Sequence, residues 1–188
     1  MRRILLLAAL PLALAAAGAQ AQPNGPGSGA SISPQTTDFI SKAASTDAFE
    51  RDAAKLAQKR STNTDIKAFA GMMISDHTMT TDKLMQVLKK DRLPTPKNPT
   101  PNPTQAKMLT DLGGATKKGF DKAYAHSQVV AHQMAVMVMQ DYADHGDNPD
   151  LKQLAKDTVP LIQRHLDMAL KLEGAAGGPP KSLTRKQD

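Results

Sequence analysis

Apolar and polar positions recur with helical period over four long stretches of the chain. In the first, Ile40, Ala43, Asp47, Glu50, Ala54 and Ala57 fall at threes and fours, the spacing that lines one helix face. Ser61-Thr62-Asn63 breaks that run. Asn63 or Thr64 can cap a second helix, whose stripe is Ile66, Ala70, Met73, His77, Leu84 and Leu88, with small Thr80 and Thr81 in its gap. A third helix is predicted over 116–145. Because it is apolar nearly all round from Val129 to Met139, it is expected to be the most buried element. The turn residues of His145-Gly-Asp-Asn-Pro149 follow, and then a fourth stripe of Leu151, Leu154, Thr158, Leu161, His165, Met168 and Leu172. Pro160 inside this last helix is expected to kink it.

Between the second and third helices, the five prolines of 93–103 lack the N–H a helix needs, so this segment reads as a stiff crossover. A short helix near 104–112 and a break at Gly113-Gly114 are expected after it. Alternating β-branched runs are not evident. The pattern predicts an all-α fold, a bundle of four long helices in two hairpins, with a long Pro-rich connection between the second and third. The domain is placed at 36–173, long enough to bury a core without disulfides.

The ends carry other signals. Met1-Arg2-Arg3, an apolar run from Ile4 to Ala17 and Gly18-Ala19-Gln20-Ala21 form a signal peptide, residues 1–21, with cleavage expected after Ala21. As a helix, Ile4–Ala17 spans only ~21 Å against the ~30 Å of a bilayer core, and Pro11 interrupts it. Stable membrane insertion is therefore not expected once the leader is cleaved, and the protein is expected to be periplasmic or secreted. Residues 22–35, rich in Gly, Pro, Ser and Asn, read as a flexible linker, and 174–188 as a disordered basic tail.

Charge and composition narrow the chemistry. The formal charge of +6 falls to +4 when Arg2 and Arg3 leave with the leader, and the tail holds much of the remainder in Lys181, Arg185 and Lys186. The helical core is nearly neutral, so nucleic acid is not an expected partner. The tail's basic residues suit weak contact with anionic envelope polymers. With no cysteine, disulfides, thiolate metal sites and lipid anchoring are excluded. No nucleophilic triad or phosphate-binding loop is recognisable, so the reading leans away from an enzyme. The methionines at helical spacing read as core filling rather than a Cu(I) site.

Each stripe carries one residue able to bind a metal or a proton: Glu50, His77, His132 and His165. Counted from the two hairpin turns at ~1.5 Å per residue, the two members of each hairpin sit within about 5 Å of one level, and both pairs fall near mid-length. A buried carboxylate and three imidazoles must be hydrogen-bonded, neutralised or coordinated. One divalent ion, zinc, iron(II), manganese or copper(II), would satisfy them, with Asp47 as an outer partner. The alternative is a non-enzymatic envelope scaffold whose Glu–His cluster fixes helix register or senses pH. A dinuclear ferritin-type centre lacks its glutamates, because Ile74, Val129 and Ile162 stand three residues before the histidines. His126 and His145 lie off the stripes and are expected to face solvent.

The strings Phe39-Ile-Ser-Lys-Ala-Ala44, Asp65-Ile-Lys-Ala-Phe-Ala70, Met73-Ile-Ser-Asp-His77, Phe120-Asp-Lys-Ala-Tyr124 and Thr158-Val-Pro-Leu-Ile-Gln-Arg-His165 resemble a bacterial family of exported proteins. It is known as domain of unknown function 4142 and sometimes labelled an outer-membrane protein. The likeness covers about 38–172. It implies a ferritin-like four-helix bundle in which Glu50, Asp76-His77, His132 and His165 match the family's recurring polar positions. The chain departs from the pattern at Ala131 and Gln133, where the family tends to Asp-His-Glu.

Overall fold

The computed structural model describes residues 32–178. The leader at 1–21, most of the linker and the basic residues of the tail lie outside that range. Five helices, and no strand, occur among the described residues: α1 (Pro34–Arg60), α2 (Thr64–Lys90), α3 (Pro103–Gly114), α4 (Phe120–His145) and α5 (Pro149–Ala175).

Local chemistry sets the ends. The Ser33 side chain accepts from the Thr36 N–H with Pro34 in the first turn, which starts α1 earlier than the stripe alone predicts. Asn63 caps α2 by accepting from the Asp65 and Ile66 N–H groups, and Asn148 with Pro149 opens α5 in the same way. Asn102 and Gln105 form a reciprocal capping box on α3. Gly113 and Gly114, expected to break that helix, form its last turn instead. Arg60 explains the difference, donating to the carbonyls of Leu112 and Gly113 at 2.9 and 2.6 Å and of Ala115 at 2.5 Å, where α3 would otherwise leave acceptors bare. Its guanidinium also lies 4.7 Å from the Phe120 ring centroid. Thr116–Gly119 turns rather than opening α4, which begins at Phe120. At the other end, α5 runs uninterrupted through the exposed Pro160 and past Gly174 to Ala175.

The two hairpins, α1–α2 and α4–α5, pack most extensively, while α1 also meets α4 and α2 meets α5. Around the interior the order is α1, α2, α5, α4, and α3 lies against α1 and α4. Residues 91–102 make the passage from α2 to α3. The most buried helix is α1 rather than α4. Its alanines at 43, 44, 48, 53, 54 and 57 are all inside, whereas Gln133 and Met137 of α4 face solvent, Met137 at 64% exposure. The inner face of α5 is Leu151, Ala155, Thr158, Ile162, His165 and Ala169, with Leu154, Leu161, Met168 and Leu172 on its flanks.

The core has two apolar halves. One gathers Phe49, Phe69, Met73, Phe120 and Tyr124 with Ala169, and the other Phe39, Ile40, Leu84, Leu88, Tyr142 and Leu151. In the second half, Phe39 stacks on Tyr142 with centroids 3.9 Å apart, and the Thr36 hydroxyl bonds Tyr142 and Asp147 at 2.5 Å each. That clasp fastens the start of α1 to the α4–α5 turn. Gly146 sits so close that a Cβ there would meet Tyr142 at 2.5 Å. Between the two halves, at mid-length, lies a layer of buried polar side chains. No helix among the described residues is long and apolar enough to cross a membrane.

Candidate metal centre

The polar layer takes His77 from α2, His132 from α4 and His165 from α5, each at most 3% exposed. One ligand nitrogen from each lies within 4.8 Å of the other two. The ring centroids are 5.4 to 5.8 Å apart. Of the four side chains expected to meet, the three imidazoles are the ones grouped at this spacing.

Each ring is fixed by a bond to its other nitrogen. His77 Nδ1 pairs with Asp47 Oδ1 at 2.8 Å, His132 Nδ1 donates to the Gln128 carbonyl at 2.9 Å, and His165 Nε2 pairs with Asp76 Oδ2 at 2.9 Å. The remaining atoms, His77 Nε2, His132 Nε2 and His165 Nδ1, are buried without a hydrogen-bond partner. An acceptor behind each ring orients it and raises its basicity toward whatever the front nitrogen meets. Asp47 is itself held: Thr80 and Thr81 donate to its two oxygens at 2.9 Å each, and Arg51 donates to Thr81 at 2.6 Å. The threonines that interrupt the α2 stripe therefore serve the aspartate.

Glu50 enters the layer from α1, wholly buried, with both carboxylate oxygens lacking a hydrogen-bond partner. Its Oε1 is 3.5 Å from His132 Nδ1, so it stands beside the trio, next to the nitrogen already given to Gln128. Two further polar groups share its surroundings. The Tyr124 hydroxyl and both atoms of the Gln128 amide are also buried and unpartnered. Sequence reasoning missed them, although Tyr124, Gln128 and His132 stand four residues apart on one face of α4.

The electrostatics follow from burial. Desolvation lifts the Glu50 carboxyl from 4.5 to about 7, against the opposing influence of His77 and Gln128. Burial, then the neighbouring His77 charge, depresses His132 from 6.5 to about 4. Burial likewise takes His165 to about 4, although Asp76 pulls the other way. Burial also lowers His77, but the Asp47 hydrogen bond and the Glu50, Asp47 and Asp76 charges outweigh it and leave it raised. The rings of His132 and His165 are therefore neutral near pH 7, the form that offers a lone pair.

His145 is exposed, as expected. His126 is not free in solvent: its side chain is 20% exposed and pairs with Glu173 at 2.6 Å, joining the start of α4 to the end of α5.

The family called Domain of unknown function (DUF4142) matches residues 21–172. The chain belongs to that family. Two solved structures resemble this DUF4142 chain. A DUF305 fragment from Deinococcus radiodurans matches with a TM-score of 0.64 at 18% identity, over 77% of this chain and 97% of that one. CopM in its Cu(II)-bound form matches with a TM-score of 0.62 at 19% identity, over 75% and 95%. At such identities the likeness is one of helical fold. No curated protein matches the chain.

Proposed function

We propose that this DUF4142 domain is an exported, ferritin-like four-helix bundle that binds one divalent metal ion at mid-length. It would act in metal handling or stress protection rather than in turnover of an organic substrate, in the periplasm or outside the cell. His77 Nε2, His132 Nε2 and His165 Nδ1 are the nitrogen ligands, and Glu50 is the acidic member that offsets the ion's charge and supplies an oxygen.

The observation that carries this reading is the division of labour on each ring, one nitrogen hydrogen-bonded behind and one unpartnered in front. Hydrogen bonding within the cluster leaves one buried nitrogen of each of these three neighbouring rings without a partner, a need that a cation would meet. The dimensions suit one: ligand nitrogens around a tetrahedral ion at ~2.1 Å lie roughly 3.4 Å apart, so each ring needs to move inward by less than about 1 Å. Three nitrogens and a carboxylate suit zinc, iron(II), manganese and copper(II), and intrinsic affinity favours copper. The Cu(II)-bound CopM structure of similar fold is in keeping with that choice.

The test is metal content of the protein purified from the periplasm, beside His77→Ala and His165→Ala. Wild type should carry one ion per chain and melt higher on metal addition, and both variants should lose both properties. Substoichiometric metal under every loading condition, with unchanged melting, would leave only a hydrogen-bonded Glu–His cluster and reject the reading.

A further inference from the structure

The trio and Glu50 leave part of the polar layer without a role. Tyr124 OH, Gln128 Oε1 and Gln128 Nε2 are buried, unpartnered and on the face of α4 that carries His132. Both residues are fully buried and both neighbour Glu50: its charge raises the Tyr124 phenol, and the Gln128 amide lies close enough to lower the Glu50 carboxyl. Together they present a hydroxyl, an amide donor, an amide acceptor and a carboxylate, and Tyr124 itself belongs to the apolar Phe49–Phe69–Phe120 half of the core. Buried groups of this kind almost always have partners, and leaving one without costs about 1–3 kcal/mol. A small guest making several hydrogen bonds meets that demand, as buried waters do elsewhere.

We propose that Tyr124 and Gln128, with Glu50, form a subsite for a water-sized hydrogen-bonding ligand beside the histidine trio. The inference rests on the one-ion reading for its functional meaning: the centre is open to a small exogenous ligand and is not a closed structural ion site. Iron, manganese and copper all accept more ligands than three imidazoles and one carboxylate supply. Tyr124 and Gln128 would orient the guest, the phenol donating to it and the amide bonding it on either side. Water is the resident guest, and a small anion such as azide is its probe.

The experiment loads the full mature protein with cobalt(II) and titrates azide, following the visible absorption bands, in wild type, Tyr124→Phe and Gln128→Leu. Wild type should respond saturably. Both variants should keep their cobalt stoichiometry and bind azide about fivefold more weakly, the size of one lost hydrogen bond. Cobalt bands that ignore azide, or variants indistinguishable from wild type, would overturn the subsite. A crystal structure of the metal-free protein tests it without the ion: ordered water bridging Glu50, Tyr124 and Gln128 is the expected result, and a dry interior there refutes the proposal. Failure of wild type to take up cobalt would instead sink the ion reading, leaving the crystallographic result to judge the subsite.

Discussion

Replacing Glu50 by glutamine separates the cost of the buried charge from its use. The carboxyl titrates at about 7 in the folded chain and near 4.5 when unfolded, so folding favours its protonated form. A group raised in this way contributes its stability below the unfolded value and loses it as pH rises through the folded one. At 1.36 kcal/mol per pKa unit, the metal-free wild type gives up about 3 kcal/mol between acid pH and pH 8, but less than about 1 kcal/mol by pH 5. Glu50→Gln keeps the shape and removes the titration. Its metal-free form should therefore exceed wild type by about 3 kcal/mol at pH 8, and by less than about 1 kcal/mol at pH 5. For a domain of this size that corresponds to a melting shift of roughly 6–12 °C at pH 8. Saturating zinc should reverse the order, because the variant lacks the anion that offsets the ion. Urea unfolding of chelated and zinc-loaded protein at both pH values measures all four states. A gain that is no larger at pH 8 than at pH 5 would refute the assignment of the strain to ionised Glu50.

The other expectations concern the same layer and the core around it. Asp76→Ala removes the acceptor behind His165 at a partly exposed position, and metal affinity measured by competition with a chelator should fall about 10- to 100-fold while folding is nearly unchanged. Ion at 100 times its Kd should raise the urea stability of wild type by about 2.7 kcal/mol, and chelation should remove that gain. On the acid side, His132 is depressed from 6.5 to about 4, so its contribution is present above 6.5 and is lost as pH falls toward 4. Glu50 gives up stability over the same range in which His132 gains it, so Glu50→Gln should steepen the rise of the metal-free midpoint between pH 4.5 and 6.5, as a pH series of urea curves will show. Phe49→Ala, in a side chain with no exposed surface, should cost about 3–5 kcal/mol by the same assay.

The helical period made most of this architecture legible, because four stripes of apolar residues at threes and fours admit few other folds. Counting from the turns placed three histidines at one height, since helical rise is nearly constant. What period alone misjudged depended on neighbours. The uniform run from Val129 to Met139 looked wholly internal, yet a helix touching only two other long helices keeps a wet face, and Met137 lies on it. Gly113-Gly114 read as a break because the Arg60 guanidinium that supports the last carbonyls of α3 comes from another helix. Asp76 and Gln128 back their imidazoles through one rotamer each, information that spacing does not carry. His126 looked solvent-facing because Glu173 lies 47 positions further along the chain.

The three imidazoles lie 55 and 33 positions apart along the chain and on three different helices. An extended polypeptide offers a cation no pocket, only scattered rings with a large closure entropy between them. The trio comes together only when α2, α4 and α5 have docked. On the proposed one-ion reading, uptake would therefore follow docking, and a bound ion would fasten three helices at once.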